Sequence, residues 1–149
     1  MLSNFHLAQV NIARMRAPLD DPMMEEFVNR LEPLNALADV APGFVWRLQT
    51  DAGDATSIQA FDDPDLIVNL SVWESIQALE SYIYRSDHVN TLQRRAEWFE
   101  RPTKSPFVLW WVNAGHIPSI EEAENRLKLL WENGPVAEAF TFSKRFEPG

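Results

Sequence analysis

Two adjacent tryptophans inside a short apolar run, Phe107-Val108-Leu109-Trp110-Trp111-Val112, constrain the fold more than any other stretch of this chain. Successive side chains of a β-strand point to opposite faces of its sheet. A strand here therefore sends Trp110 and Trp111 into different environments, and both faces must accept a large ring. One face can meet helices. The other needs a partner subunit or a cavity with room for a ligand.

The surrounding pattern supplies the rest of a sheet. Phe5 to Ala13 alternates and carries Val10 and Ile12, which predicts a first strand with Phe5, Leu7, Gln9 and Asn11 on one face. Asp21 before Pro22 forms a helix start, and Met24, Phe27, Leu31 and Leu34 continue at helical spacing, with Pro33 expected to kink or restart the helix. Pro42-Gly43 closes that segment and Phe44 to Gln49 reads as a second strand. The acidic stretch Asp51 to Asp65 joins it, as a long hairpin, to a third strand at Leu66 to Trp73, rich in β-branched residues.

Ile76, Leu79, Tyr82 and Ile83 then mark a helix, and a further helical stretch is expected from about Ser86 to Phe99, ending before Pro102. After the double-tryptophan strand, Ser119-Ile120-Glu121-Glu122 is a capping box. The helix it opens buries Ile120, Ala123, Leu127, Leu130 and Trp131, pairs Glu122 with Arg126 and Glu124 with Lys128, and ends at Asn133-Gly134-Pro135. Phe140 to Phe146 alternates imperfectly and is expected to be a last edge strand guarded by Lys144 and Arg145.

With 149 residues, 46% of them hydrophobic, the chain suits one domain spanning residues 1–149. The element order fits an α+β sandwich with helices on one sheet face. Trp, Phe and Asn side chains remain on the other face, and so broad an aromatic surface predicts a face-to-face homodimer. A formal charge of −9 with dispersed basic residues argues against a nucleic-acid partner. No apolar run reaches membrane-spanning length and the first residues carry no leader pattern, so the expected protein is soluble and cytoplasmic, with no membrane partner. Zero cysteines exclude disulfides, thiolate metal sites and cysteine nucleophiles.

Asn11, Val72-Trp73-Glu74-Ser75, Tyr84-Arg85-Ser86-Asp87-His88, Arg94-Arg95 with Trp98-Phe99, and Trp110-Trp111-Val112 with Gly115-His116-Ile117-Pro118 together resemble a bacterial group of uncharacterised domains within the dimeric α+β barrel superfamily. That superfamily also holds the antibiotic-biosynthesis monooxygenases and the haem-degrading monooxygenases. The resemblance covers most of the chain. It implies a ferredoxin-like antiparallel sheet, a dimer made by packing sheets together, a helix-strand extension at the C-terminus and a pocket between sheet and helices. In haem-degrading relatives a histidine on the second helix holds iron. The matching register here falls near Leu92 or Gln93, neither of which supplies the usual axial ligand, and Tyr82 replaces a tryptophan.

Several polar residues invite a chemical role. On a continuous helix Tyr84, His88, Leu92, Arg95 and Phe99 share a face. That face is either a rim, where Arg95 pairs with Asp87 or Glu97, or a pocket wall. In the pocket Arg95 would hold a substrate anion while His88 serves as acid or base. Asn11 and Asn69 sit in strands that disfavour asparagine, as edge hydrogen bonders or as amides that orient a carbonyl and stabilise an oxyanion. His116 follows a strand and precedes a capped helix, as a loop brace or a site residue. Packing is the ordinary use of the six tryptophans, although one or two beside polar groups suit a flat aromatic ligand.

The catalytic candidates are therefore His88, Arg95 and Asn11. The substrate-binding candidates are Tyr84, Asn69, Trp73, Trp98, Phe99, Trp110, Trp111 and His116. Asp62-Asp63-Pro64-Asp65 reads as a solvated turn, since it lacks the glycine and distal glutamate of a calcium loop, and no metal is expected. No phosphate loop, dinucleotide glycine motif, zinc-helix motif or nucleophile elbow occurs, and no cofactor is expected. Three readings stay open: a cofactor-independent monooxygenase acting on a small aromatic or enolisable molecule, a cyclase or isomerase using the same pocket, and a non-catalytic module that binds a small molecule.

Overall fold

The computed structural model describes residues 4–49, 61–84 and 93–148. Four strands form one antiparallel sheet: β1 (Phe5–Arg14), β2 (Phe44–Arg47), β3 (Leu66–Trp73) and β4 (Phe107–Asn113), in the order β2-β3-β1-β4. The helices are α1 (Glu25–Asp39) after β1, α2 (Ile76–Ile83) after β3 and α3 (Ile120–Asn133) after β4. This is the ferredoxin-like α+β architecture with a C-terminal extension.

Local chemistry accounts for the helix starts. Asp21 accepts from the Met23 N–H at 2.9 Å and, with Pro22 in first position, opens a short 3-10 turn over Pro22–Met24 that leads into α1. α1 then continues through Pro33 without the restart expected, giving up the one backbone hydrogen bond that a proline cannot donate. Ser75 caps α2 by accepting from the Ala78 N–H at 3.1 Å.

The register sorts the strand side chains into two faces. Leu7 lies opposite Trp73 and Trp111, Gln9 opposite Ser71 and Leu109, and Asn11 opposite Asn69 and Phe107. This face packs against the end of α1 and against α2 through Ala38, Ile76 and Leu79. Ala8, Val10, Val68, Leu70, Val72, Val108, Trp110 and Val112 form the opposite face.

That second face is where the structure departs from expectation. Ala123, Leu127 and Leu130 of α3 pack directly on it, and Trp110, Val10 and Val72 are fully buried within the single chain. The sheet face away from α1 and α2, expected to need a second copy, is covered by the chain's own C-terminal helix, while the asparagines, Phe107 and Trp111 lie on the α1/α2 side. Helices therefore lie on both sides of the sheet.

The last strand expected, over Phe140 to Phe146, reduces to one bridge to the sheet. Phe140 and Leu109 exchange backbone hydrogen bonds of 2.8 Å in each direction along the outer edge of β4. A turn at Thr141 to Lys144 follows at once, tightened by the 2.9 Å contact between the hydroxyls of Thr141 and Ser143. Local side-chain bonding thus displaces ladder pairing. Phe142 stacks on Phe107 with centroids 5.1 Å apart, and Phe146 packs on the buried Phe140. Arg145, expected to guard an edge, instead pairs with Glu80 of α2 at 2.7 Å.

Two expected ion pairs of α3 are also replaced. Glu122 takes the Trp110 indole N–H at 2.8 Å on one oxygen and His116 Nε2 at 2.7 Å on the other, rather than Arg126. Glu124 accepts the Phe61 N–H at 2.7 Å, while Arg126 donates to the Glu138 carbonyl and the Lys128 ammonium lies over the Phe61 ring. Ser119 does cap the helix, accepting from the Glu122 N–H at 3.0 Å.

On the other side of the sheet, Arg94 bridges α1 to the 3-10 turn Arg95–Glu97. It donates to both oxygens of Glu26 and to both of Glu97, and its guanidinium lies 5.2 Å from the centre of the buried Trp98 ring. These hydrogen bonds hold the Glu26 carboxyl below its ordinary value of 4.5, at about 2, against a smaller opposing effect of desolvation, with Arg30 adding to the depression. A carboxylate with a lowered folded-state pKa stabilises the fold above its unfolded value and loses that contribution as pH falls toward the folded value. Glu26→Gln is therefore expected to lower the urea midpoint at pH 7, with the gap to the parent closing between pH 4.5 and about 2. A gap that persists unchanged at pH 2 would show that the carboxylate charge is irrelevant.

Candidate functional site

A strand interior has no use for side-chain amides unless they are satisfied, because a buried polar group without partners costs ~1–3 kcal/mol. Gln9 on the central strand β1 is 3% exposed and its amide is nearly fully used. Its Nε2 donates to Asn69 Oδ1 and to Ser71 Oγ, both at 2.7 Å, while its Oε1 accepts from Asn11 Nδ2 at 3.1 Å. Ser71 Oγ also accepts the Trp73 indole N–H at 2.9 Å. Asn11, Gln9, Asn69, Ser71 and Trp73 thus form one connected network across β1 and β3.

The alternation of the strands places this network. All five residues point to the α1/α2 side of the sheet, with Gln9 and Ser71 buried behind Asn11 and Asn69, which are exposed. Trp73 closes one end: it is 1% exposed, stacked on Tyr82 at 5.2 Å and met edge-on by Phe44 at 5.4 Å. The Tyr82 hydroxyl donates to the Leu34 carbonyl of α1 at 3.0 Å, so α1 and α2 jointly hold the ring stack. Arg47, opposite Ser71 on β2, binds Asp39 of α1 through Nε at 2.7 Å and a terminal nitrogen at 3.3 Å, with its side chain 13% exposed.

Bonding within the network gives it a direction. Because Asn69 Oδ1 accepts from Gln9, its Nδ2 turns outward as a donor. Because Asn11 Nδ2 donates to Gln9, its Oδ1 turns outward as an acceptor. The exposed patch therefore offers one donor group and one acceptor on neighbouring strands, beside a buried indole. Such a pair can hold a carbonyl or enolate oxygen at Asn69 and a hydroxyl at Asn11.

The remaining sequence candidates fall elsewhere. His88 lies outside the described residues. Arg95 is exposed on its 3-10 turn rather than buried in a pocket, so desolvation of its charge does not call for an anion there. Its neighbour Arg94 holds Glu26 and Glu97. Tyr84 is exposed just beyond α2. Trp98 and Phe99 pack on Phe27 of α1, at 5.6 and 4.9 Å between ring centres, in a separate cluster with Met24. Trp111 shares the network's face but lies beyond Leu7, its indole donating to the Phe146 carbonyl at 2.8 Å. Trp110 and His116 belong to the opposite face, joined through Glu122.

The structure brings together Asn11, Asn69 and Trp73, and adds Gln9 and Ser71. The signal for both was present: Gln9 shares the parity of Asn11, and Ser71 lies between Asn69 and Trp73 at the same parity. A buried role for them needed the register between β1 and β3.

Two open clefts follow α3, one of about 450 Å³ along Ser119, Glu122 and Arg126, the other of about 800 Å³ beside Phe61, Lys104, Lys128 and Trp131. Neither is lined by Asn11 or Asn69. Convergent polar groups, more than empty volume, mark a site that orients a ligand, and the convergence is on β1 and β3. Among the described residues no helix is long and apolar enough to cross a membrane.

Sheet order and helix placement define an α+β subunit of the ferredoxin-like class, carrying an amide network on the sheet face that packs α1 and α2. Within that class the chain belongs to the family described as Domain of unknown function DUF3291, whose model matches residues 6–149. PA3566 from Pseudomonas aeruginosa superposes with a TM-score of 0.52 at 14% identity, covering 78% of this chain and 99% of that one. Rv0793 from Mycobacterium tuberculosis gives 0.51 at 12% identity, over 76% and 99%. SnoaB from Streptomyces nogalater, a cofactor-independent oxygenase, gives 0.48 at 14% identity, over 75% and 95%. Likenesses at these identities show the fold alone. The comparison with curated proteins returns no match.

Proposed function

We propose that the chain is a cofactor-independent enzyme that binds a small aromatic or enolisable molecule on the Asn11–Asn69–Trp73 patch and stabilises its enolate. The observation that carries this reading is the outward donor of Asn69 next to the outward acceptor of Asn11, both tied to one buried glutamine. A preorganised donor aimed at an oxygen that gains charge lowers a barrier without reorganising at the moment of reaction. Trp73 and Tyr82 supply apolar ring surface at one end of the patch.

In the oxygenase form of the reaction, loss of a proton from an activated methylene gives an enolate whose oxygen is held by Asn69. The carbanion reduces dioxygen. One oxygen atom ends as the new carbonyl and the other leaves as water with both methylene hydrogens, so the substrate supplies all four electrons. His88 is the proposed base. A cyclase or isomerase would use the same enolate without oxygen, and a binding module would use the same patch without turnover.

Oxygen uptake by the purified protein with a panel of phenols and enolisable ketones tests the reading. Asn69→Ala is expected to lower kcat by about 10²–10³-fold, the usual loss for one oxyanion donor. Its melting temperature should fall only modestly, because the buried Gln9 Nε2 loses one acceptor and keeps Ser71 Oγ. Turnover that continues without oxygen would select the cyclase or isomerase form. Binding without turnover would select the module.

A further inference from the structure

We propose that Gln9 is a positioning residue that sets the donor and acceptor polarity of the patch, and with it which ligand groups the patch accepts. The inference rests on the reading of Asn11 and Asn69 as ligand-facing amides. An asparagine amide on a surface can present either its oxygen or its nitrogen at little cost, since water satisfies both. Here each asparagine has one end held from behind by the same buried amide. Gln9 donates to Asn69 and accepts from Asn11, so the two asparagines must present opposite ends outward.

The hub has a third partner. Gln9 Nε2 spends its second hydrogen on Ser71 Oγ, and that oxygen also receives the Trp73 indole N–H, which can only donate. Turning the Gln9 amide over would set its carbonyl oxygen against Asn69 Oδ1 and its NH₂ against Asn11 Nδ2. Both asparagines would have to turn with it. The polarity is therefore a property of the whole network, and Gln9 is the member whose replacement changes it.

Gln9→Glu is the isosteric test. A carboxylate cannot donate, so Asn69 is expected to turn, giving Nδ2 to the new carboxylate and presenting Oδ1 outward. Gln9→Met keeps the length and removes all bonding. The first measurement is side-chain amide hydrogen exchange by NMR on the full-length protein at pH 8, without ligand. In the parent protein the Gln9 amide hydrogens should exchange slowly and those of Asn69 fast. In Gln9→Glu the Asn69 hydrogens should become protected, and in Gln9→Met they should not. Parent Gln9 hydrogens that exchange as fast as those of Asn69 overturn the proposal before any variant is made. So does an Asn69 signal unchanged in both variants.

Ligand preference is the second measurement, by tryptophan fluorescence with 1-tetralone, which only accepts hydrogen bonds, and 2-naphthol, which donates. Gln9→Glu should shift the affinity ratio toward 2-naphthol by about tenfold or more, because a hydrogen bond is exchanged for a repulsive contact. A purely structural role would weaken both probes alike, and an unchanged ratio overturns the proposal. Lack of turnover with any substrate, alongside the exchange and ratio changes, would remove the catalytic reading and leave Gln9's role intact.

Discussion

Trp110→Ala is expected to lower the unfolding free energy by about 3–5 kcal/mol, the range for deleting a large buried aromatic side chain. Trp110 is fully buried between the sheet and α3, in contact with the residues that seat the helix, and its indole N–H is bonded to Glu122 near the start of α3. Truncation leaves a cavity in the layer and frees Glu122 from one of its partners. Urea unfolding followed by far-UV circular dichroism and fluorescence checks the value. Trp110→Phe should cost less, because the ring volume is mostly kept and Glu122 retains His116. A loss below about 1 kcal/mol for the alanine variant would mean that Trp110 does not fill a packed interior, since deletions of this size in packed cores cost several times more.

The second large effect is at Gly43, between α1 and β2. Its φ is +82°, and a Cβ built there would stand 2.4 Å from the Cβ of Ala78 on α2. Its carbonyl accepts from the Glu74 N–H at 2.8 Å, so the backbone cannot retreat without breaking that bond. Gly43→Ala is expected to cost about 2–5 kcal/mol, from ~1–2 for the left-handed backbone and ~1–3 for overpacking. Adding Ala78→Gly should return the overpacking part and leave the backbone part. Gly115 and Gly134 serve as controls, because they also have positive φ but meet nothing within 4 Å. Their alanine variants should lose only the ~1–2 kcal/mol of the backbone. Equal losses at all three positions would show that close approach of α2 plays no part.

The consequences of these contacts reach the patch. Gly43 allows the start of β2 to lie against α2, and Phe44 beside it meets Trp73 edge-on. Trp73 in turn bonds Ser71, on which Gln9 leans. A bulkier residue at position 43 is therefore a stability lesion whose nearest functional neighbour is the ring closing the amide network.

Particular residues show what could be read from the chain. Alternation alone separates Trp110 from Trp111 and places Leu7, Gln9 and Asn11 on one face, because the two-residue repeat of a strand is a local property. Ser119 and Asp21 reveal themselves as caps for the same reason: donor and acceptor lie within three residues of each other. The run from Phe140 to Phe146 misleads because its alternation is equally compatible with turns, and only the bridge to Leu109 decides how much of it pairs. Helical spacing groups Arg95 with His88 as a pocket cation. In the structure Arg95 stands exposed on a 3-10 turn, and Arg94 holds Glu26 and Glu97.

By itself the sequence determined the strands, the caps, the parity of the tryptophans and the presence of asparagines at strand positions that disfavour them. Each of these depends on neighbours a few residues away. Only the tertiary structure decided that α3 covers the second face of the sheet and that Gln9 joins Asn11 to Asn69, residues 60 positions apart from Gln9 on one side and two on the other. An amphipathic helix carries no address for the surface it will bury, and an amide does not specify which partner will satisfy it. Those choices are made by strand order and register, which bring distant segments within reach of one another.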